Sequence, residues 1–239
     1  ITEDSKYVIA RVKPLEETIR QLKLKDTKKE DMPLDQLLIF DAKSGDKTLT
    51  PNLKSFKVPE EWSGWVAYQT QTEPGEDKKE ETEKAKKESA GNGYALHIKD
   101  LSGDEQVFPF VTDYTFAEEA EMLAFVSTGD DENFQPGVYL HDLSSASSTP
   151  VMLGEADYKQ LSINKDGSLL AFVSDSTTTG NDRAFSLYLW TGEDNAREVA
   201  HNNLDAMPEA WTVSEHGRIR FSDSNERVFF GTAPIPPEK

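Results

Sequence analysis

The side chains best suited to chemistry in this 239-residue sequence are four histidines, a run of carboxylates and a serine- and threonine-rich loop. His97 and His141 fall within alternating apolar segments, while His201 and His216 fall in polar, turn-rich stretches, and nothing pairs them at metal-ligand spacing. Asp130-Asp131-Glu132 offers hard oxygen ligands of the kind calcium takes, but lacks the spacing and central glycine of a calcium loop. It reads as a solvated loop. Ser174-Asp175-Ser176-Thr177-Thr178-Thr179-Gly180 supplies hydroxyls, yet a serine without an adjacent base is not a nucleophile. No Gly-x-Ser-x-Gly elbow, phosphate loop, His-Glu-x-x-His or dinucleotide glycine pattern occurs, and Gly91-Asn92-Gly93 precedes a strand where dinucleotide binding needs glycines after one. With no cysteine, disulfide scaffolds, thiolate metal sites and thiol nucleophiles are excluded. The expectation is a chain with no catalytic residue, no metal ligand and no cofactor-binding residue.

The elements that would have to position such groups are repeated. A short apolar strand signature recurs as Tyr7-Val8-Ile9-Ala10, Trp65-Val66-Ala67-Tyr68, Met122-Leu123-Ala124-Phe125, Leu169-Leu170-Ala171-Phe172 and Val228-Phe229-Phe230-Gly231, in steps of 58, 57, 47 and 59 residues. A fixed period in this range marks a repeat architecture. Each signature is apolar at consecutive positions, as expected of a strand covered on both faces.

Three further strand signals accompany each signature in one order. Before it comes Phe56-Lys57-Val58, Tyr114-Thr115-Phe116, Leu161-Ser162-Ile163 or Ile219-Arg220-Phe221, with a tight turn clearest at Asn164-Lys165-Asp166-Gly167. After it comes a third strand near Leu37-Phe40, Ala95-Ile98, Val138-His141 and Leu187-Trp190. A turn opened by Asp41, Asp100 or Asp142 then leads to a weak, polar fourth strand. In these columns His141 matches Phe40, Lys99 and Trp190, and His97 stands with Leu38 and Tyr139, so both read as ordinary strand side chains. Trp62, Trp65, Trp190 and Trp211 read as fillers between repeats, with a sugar-binding platform the alternative.

Four antiparallel strands per repeat predict an all-β fold, a β-propeller of about four blades that is an incomplete part of a larger propeller, rather than a β-sandwich. The expected repeats lie near 4–61, 62–118, 119–165 and 166–224, with a further blade starting at 225–239, all in one domain spanning 1–239. Two insertions interrupt the pattern. Pro14 to Pro33 carries Leu15, Ile19 and Leu22 at helical spacing with Glu16 and Glu17 early and lysines late, which predicts a short amphipathic helix packed on the rim. Residues 73–93 form a charged insertion with six acidic residues and five lysines between Glu76 and Glu88, and are expected to be a mobile solvated loop.

The formal charge of −18 opposes a phosphate backbone and an anionic lipid surface, so nucleic acid is excluded as a partner. No apolar run approaches the length of a membrane span. The signatures nearest the two ends would leave open strand edges, which invites self-association.

The run Phe56-Lys57-Val58-Pro59-Glu60-Glu61-Trp62-Ser63-Gly64-Trp65-Val66-Ala67-Tyr68 resembles the propeller region of bacterial serine peptidases of the prolyl oligopeptidase family. So do Ile19-Arg20-Gln21-Leu22-Lys23-Leu24-Lys25, Met32-Pro33 and Gly231-Thr232-Ala233-Pro234-Ile235-Pro236-Pro237. The resemblance implies an N-terminal β-propeller that restricts access of peptide substrates to a C-terminal α/β-hydrolase domain carrying a Ser-Asp-His triad. No triad motif occurs in this sequence, so no catalytic residue carries over. The implied role is the non-catalytic gating segment, with the hydrolase domain of the same parent chain as partner and a periplasmic or secreted bacterial setting. The alternatives are a stand-alone protein-interaction propeller scaffold of the bacterial envelope and a carbohydrate- or calcium-binding propeller enzyme.

Overall fold

The computed structural model describes residues 1–72, 87–130, 132–176 and 184–235, and the backbone alone of Glu30. Most of the 73–93 insertion, Asp131, Thr177 to Gly180 and Pro236-Pro237 lie outside the described residues. The chain divides into two compact units, Ile1–Phe110 and Val111–Lys239.

The first unit holds β1 (Tyr7–Val12), α1 (Glu16–Leu24), β2 (Asp35–Asp41), β3 (Lys47–Lys57), β4 (Trp65–Thr70), β5 (Tyr94–Asp100) and the first part of β6 (Glu105–Phe116). Each strand pairs with the next in an antiparallel meander. β3 changes partner along its length: Lys47–Thr50 and Leu53 pair with β2, whereas Leu53 and Ser55–Lys57 pair with β4. Asn52, at φ 60°, makes the corner. Here the expected fourth and first strands of successive repeats are one continuous strand with a bulge. β6 behaves alike, with its corner at Phe110, φ 48°, so that Val111–Phe116 pairs with β7.

The second unit continues through β7 (Met122–Ser127), β8 (Gly137–Asp142) and β9 (Ser147–Leu153). A separate four-stranded meander follows, made of β10 (Tyr158–Ile163), β11 (Leu170–Ser174), β12 (Ser186–Trp190) and β13 (Arg197–Ala200). The last repeat is a hairpin in pieces. β14 (Trp211–Val213) pairs with β17 (Thr232–Pro234), and β15 (Arg220–Phe221) with β16 (Val228–Phe229).

Four-stranded antiparallel meanders in series are β-propeller blades, and the fold is all-β of that type with one short helix. The alternation of side chains explains the unbroken apolar signatures. In β11, Leu170 and Phe172 join a core with Ala124, Val126, Val138, Leu140 and Val151 of the preceding sheet. Ala171 and Val173 join Phe185, Val213 and Ile219 in a second core on the other face. All five β11 residues are buried, so this strand has no polar side to show. In the first unit, Ile9, Leu37 and Ile39 meet Leu53, Val66 and Tyr68 in the same manner.

Turn chemistry follows the sequence pattern. Asp41 accepts from the backbone N–H of Lys43 and Ser44 at 2.7 and 3.1 Å, Asp100 from Ser102 at 2.7 Å, and Asp142 from Ser144 and Ser145 at 2.9 and 3.1 Å. These bonds hold the Asp41 and Asp142 carboxyls below the usual carboxylate range; at Asp142 the Ser144 hydroxyl leads. At the inner turn, Gly167 adopts φ +76°, and a Cβ there would meet Met122 Sδ at 2.6 Å. The helix forms as α1 with Glu16 and Glu17 in its first turn and Lys23 in its last. It is not packed as expected: none of its residues is buried, and Leu15 and Leu24 stay exposed.

Candidate functional site

In three of the blades, pairing between the second and third strands stacks two rings at the same column. Phe125 lies opposite Tyr139 with ring centroids 5.2 Å apart, and Phe172 opposite Tyr188 at 5.6 Å. In the β4–β5 pair the same two places hold Tyr68 and His97, stacked at 4.7 Å and 4°. The column therefore turns chemical at one blade, where a histidine stands in place of a tyrosine.

Two neighbouring strands hold this histidine. Thr70 of β4 lies with Oγ1 3.0 Å from His97 Nε2. Glu105, at the start of β6, places Oε1 3.2 Å from His97 Nδ1, close enough for an ion pair but not aligned as a hydrogen bond. The same Oε1 accepts a short hydrogen bond from the Tyr68 hydroxyl. Burial, then Glu105, push the Tyr68 phenol well above its ordinary value. Burial lowers the pKa of His97, opposed by the charges of Glu105 and Glu88. Near neutral pH the result is a protonated phenol that donates to Glu105 beside a neutral imidazole. A carboxylate between a phenol and an imidazole has the parts for proton transfer, but Tyr68 is only 3% exposed and already bonded. The arrangement clamps β4, β5 and β6 together.

Glu88 completes the surroundings. Its carboxylate accepts from Thr72 N at 2.8 Å, Thr72 Oγ1 at 2.9 Å and Ala95 N at 3.1 Å, joining the chain before and after the charged insertion.

The other histidines have separate neighbours. His141, fully buried on β8, has Nδ1 2.9 Å from Ser148 Oγ, and burial lowers its pKa. His201 Nδ1 accepts from Asn203 N at 3.2 Å. The exposed His216 lies 3.8 Å from Glu215. Asp130 spends Oδ1 on the backbone N–H groups of Glu132, Asn133 and Phe134 at 3.0, 2.7 and 2.7 Å, which lowers its pKa and caps its own loop. Ser174 Oγ accepts from Ser176 N at 3.2 Å, and Ser176 Oγ lies 3.0 Å from the Tyr188 hydroxyl. Trp190 is buried in a core, its Nε1 donating to Asp194 O at 3.1 Å.

One cluster carries no sequence signal. Lys159, beside the β10 bulge, forms a short ion pair with Glu215, lies 4.0 Å from Asp157 and sits over the Phe185 ring at 4.9 Å. Gln160, at φ 55°, turns its Nε2 to Glu215 O at 3.0 Å. The lysine and glutamate side chains are about one-third exposed (38% and 34%), so the pair ties β10 to the 214–217 turn without adding much stability.

The two depressed histidines make stability depend on pH. The unfolded chain takes up protons at the ordinary histidine pKa, whereas the folded chain takes them up only at lower pH. Stability should therefore fall as the pH drops through the ordinary histidine pKa and level off below the lower folded-state values. Further acidification removes the contribution of Asp41, Asp142 and Asp166. The groups facing His97 are Tyr68 and Thr70 from β4, Glu105 from β6 and Glu88 beside the insertion. Urea midpoints measured across this range should slope less in a His97→Tyr, His141→Phe double variant, whose residues match Tyr139 and Phe40 of the same columns. An unchanged slope would remove these histidines from the explanation.

No protein-family model and no curated protein matches the sequence. Among solved structures, the chain is similar to the β-propeller domain of the Trilobed protease from Pyrococcus furiosus, at 9% identity and TM-score 0.42, over 75% of this chain and 52% of that one. It is similar to the Pyrococcus horikoshii acylaminoacyl peptidase, at 13% identity and TM-score 0.46, over 95% of this chain and 33% of that one. It is also similar to an oligogalacturonate lyase from Vibrio parahaemolyticus, at 14% identity and TM-score 0.47, over 98% of this chain and 64% of that one. The chain thus spans less than two thirds of each. Among the described residues, no helix is long and apolar enough to cross a membrane.

Proposed function

We propose that this chain is the non-catalytic β-propeller segment of a prolyl-oligopeptidase-like serine peptidase, limiting peptide access to a hydrolase domain of the same parent chain. Its setting is the bacterial periplasm or exterior. The observation that carries this reading is one antiparallel pairing register, repeated in β4–β5, β7–β8 and β11–β12, in a fold whose polar groups suited to chemistry are spent on holding strands and turns. The Tyr68–Glu105–His97 clamp, the Asp130 loop cap and the Lys159–Glu215 pair are each of that kind. The resemblance at residues 56–68 supplies the family. Fold alone does not choose a function, so the assignment rests on that resemblance together with these sites.

The test has two arms. The purified chain, incubated with peptidyl-prolyl and other short peptides, is expected to release no product. The parent polypeptide is expected to cleave short peptides and to spare long folded ones. Hydrolysis by the chain alone would reverse the assignment of roles, and a parent that cleaves folded proteins equally well would end the gating role.

A further inference from the structure

We propose that Asn92-Gly93 is a spontaneous deamidation site, held in check by the turn it closes, and that its conversion leaves this turn open. It is the one asparagine followed by glycine in the sequence. Glycine has no Cβ to shield its own nitrogen, so that nitrogen reaches the preceding side-chain carbonyl with little hindrance. The reactant the site takes is water. Gly93 N gives up its proton and bonds to Asn92 Cγ, the Cγ–Nδ2 bond breaks, and the amide leaves as ammonia with that proton. Water then opens the cyclic imide at either carbonyl, giving aspartate or isoaspartate. Nothing is oxidised or reduced.

The closed turn withholds the groups this step needs. Gly93 N, the nucleophile, donates to Ser89 O at 2.8 Å, and Ser89 N donates back to Gly93 O at 3.3 Å, bridging the two residues. Gly93 is buried, at φ 93°. Asn92 Nδ2, the leaving group, donates to Lys87 O at 2.8 Å, and Asn92 N donates to Ser89 Oγ at 3.0 Å. A nitrogen whose hydrogen is bonded to a carbonyl gives it up only after that bond breaks, so the reaction waits for local opening. The same bonds tie the turn to its surroundings. Lys87 precedes Glu88, whose carboxylate joins Thr72 N to Ala95 N. Conversion removes the Nδ2 donor and sets a carboxylate against the Lys87 carbonyl, two acceptors where a hydrogen bond had been. Isoaspartate also lengthens the backbone before Gly93 by one carbon. The bridge then has no register in which to re-form, and Glu88 loses the neighbour that fixed it. This inference does not depend on the peptidase reading.

The chain is incubated folded at neutral pH and, in parallel, unfolded in urea, while peptide mapping follows the asparaginyl, aspartyl and isoaspartyl forms at residue 92. The folded chain is expected to convert at least about tenfold more slowly. Amide exchange at Gly93, read on the folded chain without substitution, should be slowed by the same factor to within about threefold, because both events wait on one opening. Glu88→Ala should speed conversion by about threefold or more in the folded chain and leave the rate in urea unchanged. Asn92→Asp is one of the two products; exchange at Thr72 and Ala95 should quicken in it by about threefold or more, with Leu170 of the other unit unchanged. Equal conversion in the folded and unfolded chains would overturn the proposal. So would slow conversion beside a Gly93 amide that exchanges freely. Thr72 and Ala95 protected as before in Asn92→Asp would overturn the lasting opening.

Discussion

Replacing Phe172 by alanine is expected to lower the stability of the second unit by about 3–5 kcal/mol, a large share of the whole for a domain of this size. The reasons are local. Phe172 is fully buried in β11, stacks on Tyr188 at 5.6 Å and meets Tyr158 edge-on at 5.7 Å. Its ring lies in the core shared with Ala124, Val126, Val138 and Leu140 of the preceding sheet. Strand positions on either side are fixed by ladders to β10 and β12, so the cavity cannot close by local collapse. Urea unfolding measures the loss. Leu153→Ala, at a side chain 45% exposed on the outer strand, is the control and should cost less than about 0.5 kcal/mol. A loss below about 1 kcal/mol at Phe172 would mean that successive sheets do not share this core.

Much of this architecture can be read from residues. The signatures are apolar at both parities because each face of the sheet is covered, and β11 divides its four apolar side chains between two cores as that pattern requires. The aspartates at 41, 100 and 142 mark turns because a carboxylate two residues before an N–H can bond it. Column matching placed His97 with Tyr139 and His141 with Phe40, and the pairing registers place them the same way.

Other features leave no local trace. Pro51 and Pro109 look like strand breaks, yet each lies inside a continuous strand, just before the residue whose positive φ turns the corner. Proline is tolerated there because a bulge needs no ladder bond from that nitrogen. Glu105 was not legible as a partner of His97 and Tyr68, nor Glu215 as a partner of Lys159, since both contacts depend on distant strands. The last signature looks as strong as the others, but only Val228 and Phe229 of it pair, with β15, while Thr232–Pro234 beyond it pairs with β14, because the facing strand is interrupted between Val213 and Arg220. The helix at Glu16–Leu24 was legible from its charges, while its lack of packing was not, because amphipathic spacing does not state what lies opposite.

The central claim is that the signature strands β4, β7 and β11 are interior strands, bonded on both sides and covered on both faces. Amide exchange tests it residue by residue. In β11, Leu170 and Ala171 through Ser174 pair successively with β12, while Leu170, Ala171, Val173 and Ser174 also have partners in β10. Consecutive amides there should exchange only through opening of the whole unit, with protection on the order of 10⁴ or more. β4 and β7 should behave alike, since each has a strand on either side. Protection at every second amide, the mark of a strand bonded on one side only, would contradict the account.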